Sequence, residues 1–135
     1  MSYEDTFRLS DHAVITDAAG KVLLLYANYN NGFWGLPGGA VDPGETVDQT
    51  VTRECKEELD SVVKILYLSG IYYHKKHNSH VFIFRCELSA GSVVKLSAEH
   101  SKYQYMEASD LTEIQRKRVQ DCLNFDGNVR TAVFE

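Results

Sequence analysis

Both prolines of the chain, Pro37 and Pro43, and four of its nine glycines fall between Gly35 and Gly44. Proline fixes φ and glycine opens conformations closed to other residues, so the backbone is specified most tightly in this stretch. A helix is predicted to follow it. Thr46 and Gln49 have the spacing of a capping box with Thr46 as the N-cap. Val47, Val51, Cys55 and Leu59 recur every fourth residue and lay one apolar stripe for a core. A rigid turn that delivers an amphipathic helix onto a core therefore organises what surrounds it.

The surroundings read mostly as strands. Residues 13–16 and 22–26 are short apolar runs split by 17–21, which predicts a hairpin whose second strand is buried on both faces. Residues 28–32 read as a loop. Past the helix, 62–68, 71–73 and 81–84 predict three strands, the last two joined by the polar turn 75–78. A further strand is expected over 101–106. A closing helix is expected from Leu111 to about Phe125, with Leu111, Ile114, Val119 and Cys122 facing inward. The order strands, helix, strands, helix predicts an α+β, or mixed α/β, sandwich and not a doubly wound fold. The 135 residues hold no repeat or linker, so one domain over 1–135 is expected.

Composition narrows the classes. No run approaches the roughly 18 apolar residues of a membrane span. The start Met1-Ser2-Tyr3-Glu4-Asp5 lacks the basic and apolar segments of a secretory signal. Cys55, Cys86 and Cys122 are odd in number and far apart, which predicts reduced thiols and a cytoplasmic setting over a zinc site or disulfides. A formal charge of −5 offers no general attraction to duplex nucleic acid.

The predicted helix also carries Arg53-Glu54-Cys55-Lys56-Glu57-Glu58. At about 100° per residue, Glu54, Glu57 and Glu58 share one acidic face beside the apolar stripe. Such neighbours repel by a few tenths of a kcal/mol per pair when exposed, on the order of helix-surface pairs, and by more near a packed face. A divalent cation reverses that sign, and carboxylate oxygens are the ligands Mg²⁺ and Mn²⁺ prefer. Taken singly, each feature has an ordinary reading. Three acids on a helix usually make a solvated face, Gly38-Gly39 a turn, Glu45 a loop residue and Arg53 an ion-pair partner.

The joint spacing is specific. Gly39, five residues, Glu45, seven residues, Arg53-Glu54, the apolar Cys55, one residue, then Glu57-Glu58 resembles the signature box of the Nudix hydrolase family, here 39–61. Such an alignment arises by chance with probability on the order of 10⁻⁵. Phe33-Trp34-Gly35-Leu36-Pro37-Gly38-Gly39 resembles the family's usual lead-in. The box departs at its end, where Asp60 and Ser61 stand in place of glycine and an apolar residue. Glycine there suits a helix end with φ > 0, and Asp tolerates that conformation better than most residues. No ligand is missing.

The resemblance implies a Nudix-type α/β/α sandwich with a central mixed sheet. It also implies hydrolysis of a nucleoside diphosphate linked to another group, with Mg²⁺ or Mn²⁺. Glu57 and Glu58 would bind metal, with Glu54 either joining them or polarising the attacking water, and a carbonyl from Gly38 or Gly39 as a further ligand. Arg53 would hold the glutamates, and Glu45 would tie loop to helix. An additional glutamate outside the box is common in the family. Glu99 is the candidate here, ahead of Glu87 and Glu107. The short length fits a (d)NTP or small nucleotide derivative as substrate, with NDP-sugars and dinucleoside polyphosphates as alternatives. The proline that marks many ADP-ribose pyrophosphatases is missing, since none follows Pro43, and the tyrosine of dinucleoside-polyphosphate hydrolases falls near His77. A nucleotide-sensing domain without turnover and an RNA 5′-end hydrolase are the other readings. Many small relatives are homodimers.

Aromatic residues Phe33, Trp34, Tyr72, Tyr73, Tyr103 and Tyr105 offer stacking surface, although aromatics in strands are more often core. Lys75, Lys76 and His77 read as a solvated turn within reach of phosphates. His12, His74, His80 and His100 show no ligand spacing and receive no role.

Overall fold

A computed structural model describes residues 2–135. The first strand, β1 (Arg8–Val14), is followed by β2 (Val22–Ala27), β3 (Phe33–Gly35) and β4 (Gly38–Ala40), then the helix α1 (Val47–Leu59). After it come β5 (Val63–His74), β6 (Ser79–Leu88), β7 (His100–Met106), the helix α2 (Glu113–Leu123) and β8 (Arg130–Phe134). The main sheet has the order β4-β1-β6-β5-β8 and is mixed, with β1 parallel to β6 and β5 parallel to β8. A smaller antiparallel sheet runs β3-β2-β7. The expected mixed-sheet sandwich with two helices is what the chain forms.

β2 joins two cores. Leu23 and Leu25 pack with Ala13, Ile15, Phe84 and the α1 stripe, whereas Val22 and Leu24 pack with Val14, Tyr72, Ile83 and α2. This is why its sequence is apolar at consecutive positions: alternate side chains enter different cores. Within the stripe of α1, Val51, Cys55 and Leu59 have no exposed surface, and Val47 is partly buried. Full burial of such a side chain contributes about 1.5–3 kcal/mol. Thr46 and Gln49 form the capping box, each side chain bonded to the other's backbone N–H. The three cysteines are free and buried.

Several expectations need correction. The runs 62–68 and 71–73 are one strand, β5, and not two. Ser69 and Gly70 read as a break, but they sit at a register shift, where Ser69 donates to the Ile83 carbonyl at 3.0 Å. A Cβ on Gly70 would come within 2.5 Å of the Tyr72 ring, so the small residue makes room for a core aromatic. β1 starts at Arg8, earlier than the apolar run, because its polar residues pair with β6. Segments 13–16 and 22–26 do turn back on each other, Thr16 bridging Val22, but their strands then enter different sheets. Ile114 is 38% exposed and does not face the core as expected, while Arg118 does. Leu111 is buried but precedes α2. β8 was not anticipated from the sequence. Among the described residues, no helix is long and apolar enough to cross a membrane.

Candidate active site

Two local constraints set the acidic face of α1 against β4. Gly38 has φ 150°, outside the range of ordinary residues, and a side chain there would run into the Asp11 carbonyl. This frees the Gly38 N–H to donate to Glu58 Oε1 at 2.7 Å. At Gly39 a Cβ would stand 2.6 Å from the Glu54 carboxyl carbon, so only glycine lets that carboxyl lie on the strand. The glycine pair is thus a cradle for two glutamates.

Arg53 organises the others. Its Nε and one terminal nitrogen reach the two Glu45 oxygens at 2.7 and 2.9 Å. The other terminal nitrogen lies 2.9 Å from Glu54 and 3.3 Å from Glu57. Asp42 is also paired, at 3.2 Å, and the Ala40 carbonyl accepts at 3.2 Å. Glu45 further accepts from the Thr50 hydroxyl at 2.9 Å and the Asp42 N–H at 3.1 Å. The Arg53 bonds, with these two, hold its carboxyl down at about 2. Loop and helix are tied together through one guanidinium.

The three helix glutamates stand in different surroundings. Glu57 is largely exposed, its side chain 58% accessible. Glu58 is only 6% exposed, and burial, with Glu54, Glu99 and Glu57 nearby, pushes its carboxyl up to about 8 despite the Gly38 bond. Burial also raises Glu54 against the opposing pull of Arg53. Beneath them, fully buried Asp11 has neither carboxylate oxygen hydrogen-bonded, and burial plus Glu54 and Glu45 push it up to about 7. His100 Nε2 lies 3.4 Å from Glu58 Oε2, and burial lowers the histidine's pKa. Burial and accumulated negative charge thus favour a proton or a cation here.

Residues 95–97 explain how His100 and Glu99 arrive. Lys95 and Ser97 donate their N–H groups to the Leu59 and Glu58 carbonyls at 2.9 and 3.4 Å, closing the end of α1. Glu99 follows, exposed, close enough to raise Glu54 and Glu58. Glu87 instead pairs with Lys64 near the far end of β6, and Glu107 follows the opposite end of β7 from His100.

A cavity of about 270 Å³ is lined by Gly38, Gly39 and Glu58, by Tyr29 and Phe33, and by Gln115 and Arg118 of α2. Of the aromatic candidates, Phe33 lines it. Tyr72 is core, Tyr73 packs on His80 and Phe7, Trp34 packs on Tyr26, and Tyr103 meets Tyr105 edge-on. Lys75 pairs with Glu135 at 3.6 Å, away from the helix. Sequence reasoning missed Asp11, Tyr29, His12, His100, Gln115 and Arg118. Asp11 had one signal, a charged residue two positions before an apolar run. The rest come together only through tertiary pairing.

Among the described residues, no three His, Cys, Asp or Glu groups already stand in a metal-ligating arrangement, since Glu54 and Glu57 turn toward Arg53. The donor chemistry nonetheless fits a hard divalent cation: buried carboxylates with raised pKa, two orphaned carboxylate oxygens below, and a glycine backbone alongside.

Comparison with known proteins agrees with the geometry. The model of the NUDIX domain matches residues 6–122, and the chain belongs to the Nudix family. A MutT-like protein of Streptomyces ambofaciens is 32% identical over 91 residues, 67% of this chain and 58% of that protein. An ADP-ribose pyrophosphatase of Methanocaldococcus jannaschii is 42% identical over 60 residues, 43% of this chain and 36% of that protein. The matched stretch thus spans less than two thirds of these curated relatives. The crystal structure of an ADP-ribose pyrophosphatase from Streptococcus suis superposes with a TM-score of 0.74 at 25% identity, over 96% of this chain and 100% of that one.

Proposed function

We propose that the protein is a divalent-metal-dependent hydrolase, using Mg²⁺ or Mn²⁺, that splits a phosphoanhydride bond. Its substrate is a nucleoside diphosphate joined to a second group, a (d)NTP or a small nucleotide derivative. One observation carries this: Glu54 and Glu58 are gathered against a glycine strand, with raised pKa, and Glu58 and both glycines line a cavity of about 270 Å³. The whole chain acts as one catalytic domain, and its buried thiols suit a reducing cytoplasm.

Glu54, Glu57 and Glu58, with the Gly39 carbonyl, are the residues to hold the cation. A cation held there would offset phosphate charge and acidify a water. Glu54, partly desolvated, accepts that water's proton at a carboxylate oxygen, and exposed Glu99 is the second candidate for the same work. Glu58 is fixed by the Gly38 N–H and His100. Arg53 returns Glu54 and Glu57 to one geometry, and Glu45 holds Arg53. Phe33 and Tyr29 give a base an aromatic wall.

The two relatives called ADP-ribose pyrophosphatases support a sugar-linked nucleoside diphosphate as one substrate class to test. A sensor domain without turnover is disfavoured by the intact Arg53 network around mutually repelling carboxylates. The deciding experiment is a nucleotide-library screen with Mg²⁺ or Mn²⁺, products identified by mass. Paired phosphate-bearing products from one compound class are expected. Folded protein that binds nucleotides and cleaves none would establish the sensor reading instead.

A further inference from the structure

α2 carries a positive charge into the interior with no ion-pair partner among the described residues. Arg118 is 8% exposed and its Nε is buried without a hydrogen-bond partner. Burial draws its pKa down to about 10. Arg85, also drawn inward, shows the usual remedy: it donates to the Val14 and Cys86 carbonyls at 3.0 and 2.6 Å and to the Thr16 hydroxyl at 2.7 Å. Arg118 has no such set among the described residues. A buried, unpaired charge costs far more than a buried neutral group, so a partner from outside the chain would stabilise the guanidinium.

The place is built to receive one. Arg118 stands where two cavities meet. One is the cavity of about 270 Å³ that begins at Glu58 and Gly39. The other, about 460 Å³, is lined by Arg8, His12, His74, His77 and Arg118, with no Asp or Glu in its wall. In a chain of net charge −5, this is a local inversion of sign. His74 Nε2 is also buried without a partner, a second orphaned group at the same place. Burial and the Arg118 charge keep His12 and His74 neutral, the former down at about 4, which leaves exposed Arg8 and buried Arg118 as the fixed cations of this wall. A neutral carbonyl edge would accept hydrogen bonds from Arg118 but leave its charge uncompensated. An oxyanion satisfies both, and the guanidinium fork matches its geometry.

We propose that Arg118 anchors an oxyanion subsite, which takes a phosphate monoester or carboxylate carried by the substrate at the end away from the bond cleaved. Its use by a substrate rests on the hydrolase reading above; the binding of the anion does not.

The test uses the full chain in EDTA, at constant ionic strength set by chloride, with inorganic phosphate and acetate as probes. The readouts are the Arg118 Nε–H resonance and the melting temperature, for the wild type, Arg118→Met and Arg118→Lys. Phosphate is expected to move the Nε–H signal saturably and to raise the wild-type melting temperature. Arg118→Met should weaken binding at least tenfold, on the order of one lost charge-assisted contact. It should also melt higher than wild type without anion, because the unpaired charge is gone, and Arg118→Lys should bind at an intermediate level. Saturation by acetate as well as phosphate supports the subsite and widens it to carboxylates; saturation by phosphate alone assigns it to phosphate monoesters. Equal stabilisation of wild type and Arg118→Met by phosphate overturns the proposal. If Arg118→Met does not fold, the wild-type Nε–H titration decides, and an unmoved signal overturns the subsite. No turnover is read, so failure here leaves the hydrolase reading standing, and a silent nucleotide screen leaves the anion site standing.

Discussion

Arg53 holds Glu45, Glu54, Glu57 and Asp42 with one planar group, and that planarity matters more than its charge. A lysine keeps the charge but cannot bond both Glu45 oxygens while reaching Glu54. Arg53→Lys should therefore lower both the melting temperature and kcat, as read by calorimetry and phosphate release; wild-type values for both would show that charge alone suffices. Glu54 has a different part, since its carboxyl is assigned the proton of the attacking water. Glu54→Gln should reduce kcat by about 10²–10⁴-fold while circular dichroism stays native. A near-normal rate in that variant would move the role to Glu99. These residues were legible in the sequence because one helix carries most of them at a period known in advance. Asp11, His100 and Arg118 were not, because each reaches its site from another strand or helix through pairing that no local pattern encodes.

At the scale of elements, the end of α1 is the informative case. Asp60 is its C-cap with φ 50° and ψ 39°, the left-handed conformation that a glycine would occupy without strain. The Lys56–Asp60 contact at 3.1 Å joins two exposed side chains and adds little. Asp60→Gly should stabilise the protein by about 1 kcal/mol, raising the melting temperature by about 2–5 °C with turnover unchanged. A large gain in turnover would instead tie this departure from the family box to function. The helix, its capping box and the hairpin beginnings could be read from periodicity and turn residues. The continuity of β5 could not, since Ser69 and Gly70 look like a break and are a register shift shaped around Tyr72. β8 was hidden for another reason: it is short and none of its residues is buried, and its parallel pairing with β5 makes it a strand.

Across the whole molecule, the stored negative charge makes stability depend on pH in a definite direction. Glu58 and Asp11 are raised to about 8 and about 7, well above the ordinary carboxylate values of 4.5 and 3.8. The folded state thus holds protons that the unfolded state releases, and stability falls as pH rises between those limits. Below about pH 6.5 the depressed His12, His74 and His100 work against this, so in EDTA the melting temperature should drop from about pH 6.5 to about pH 8.5, and Mg²⁺ should restore it most at the alkaline end. A rising melting temperature over that range would contradict the assigned burial of the two carboxyls. Near pH 2 to 4.5, Glu45 acts oppositely, since its depressed pKa removes stability as acid protonates it.

The most direct measurement is turnover of a pyrophosphate-linked nucleotide from the library, stripped with EDTA and then titrated with Mg²⁺. No hydrolysis is expected in EDTA, with saturable recovery on adding Mg²⁺ or Mn²⁺ and loss of that recovery in Glu54→Gln and Glu58→Gln. Hydrolysis that persists in EDTA, or recovers equally in both variants, would contradict the metal-dependent reading.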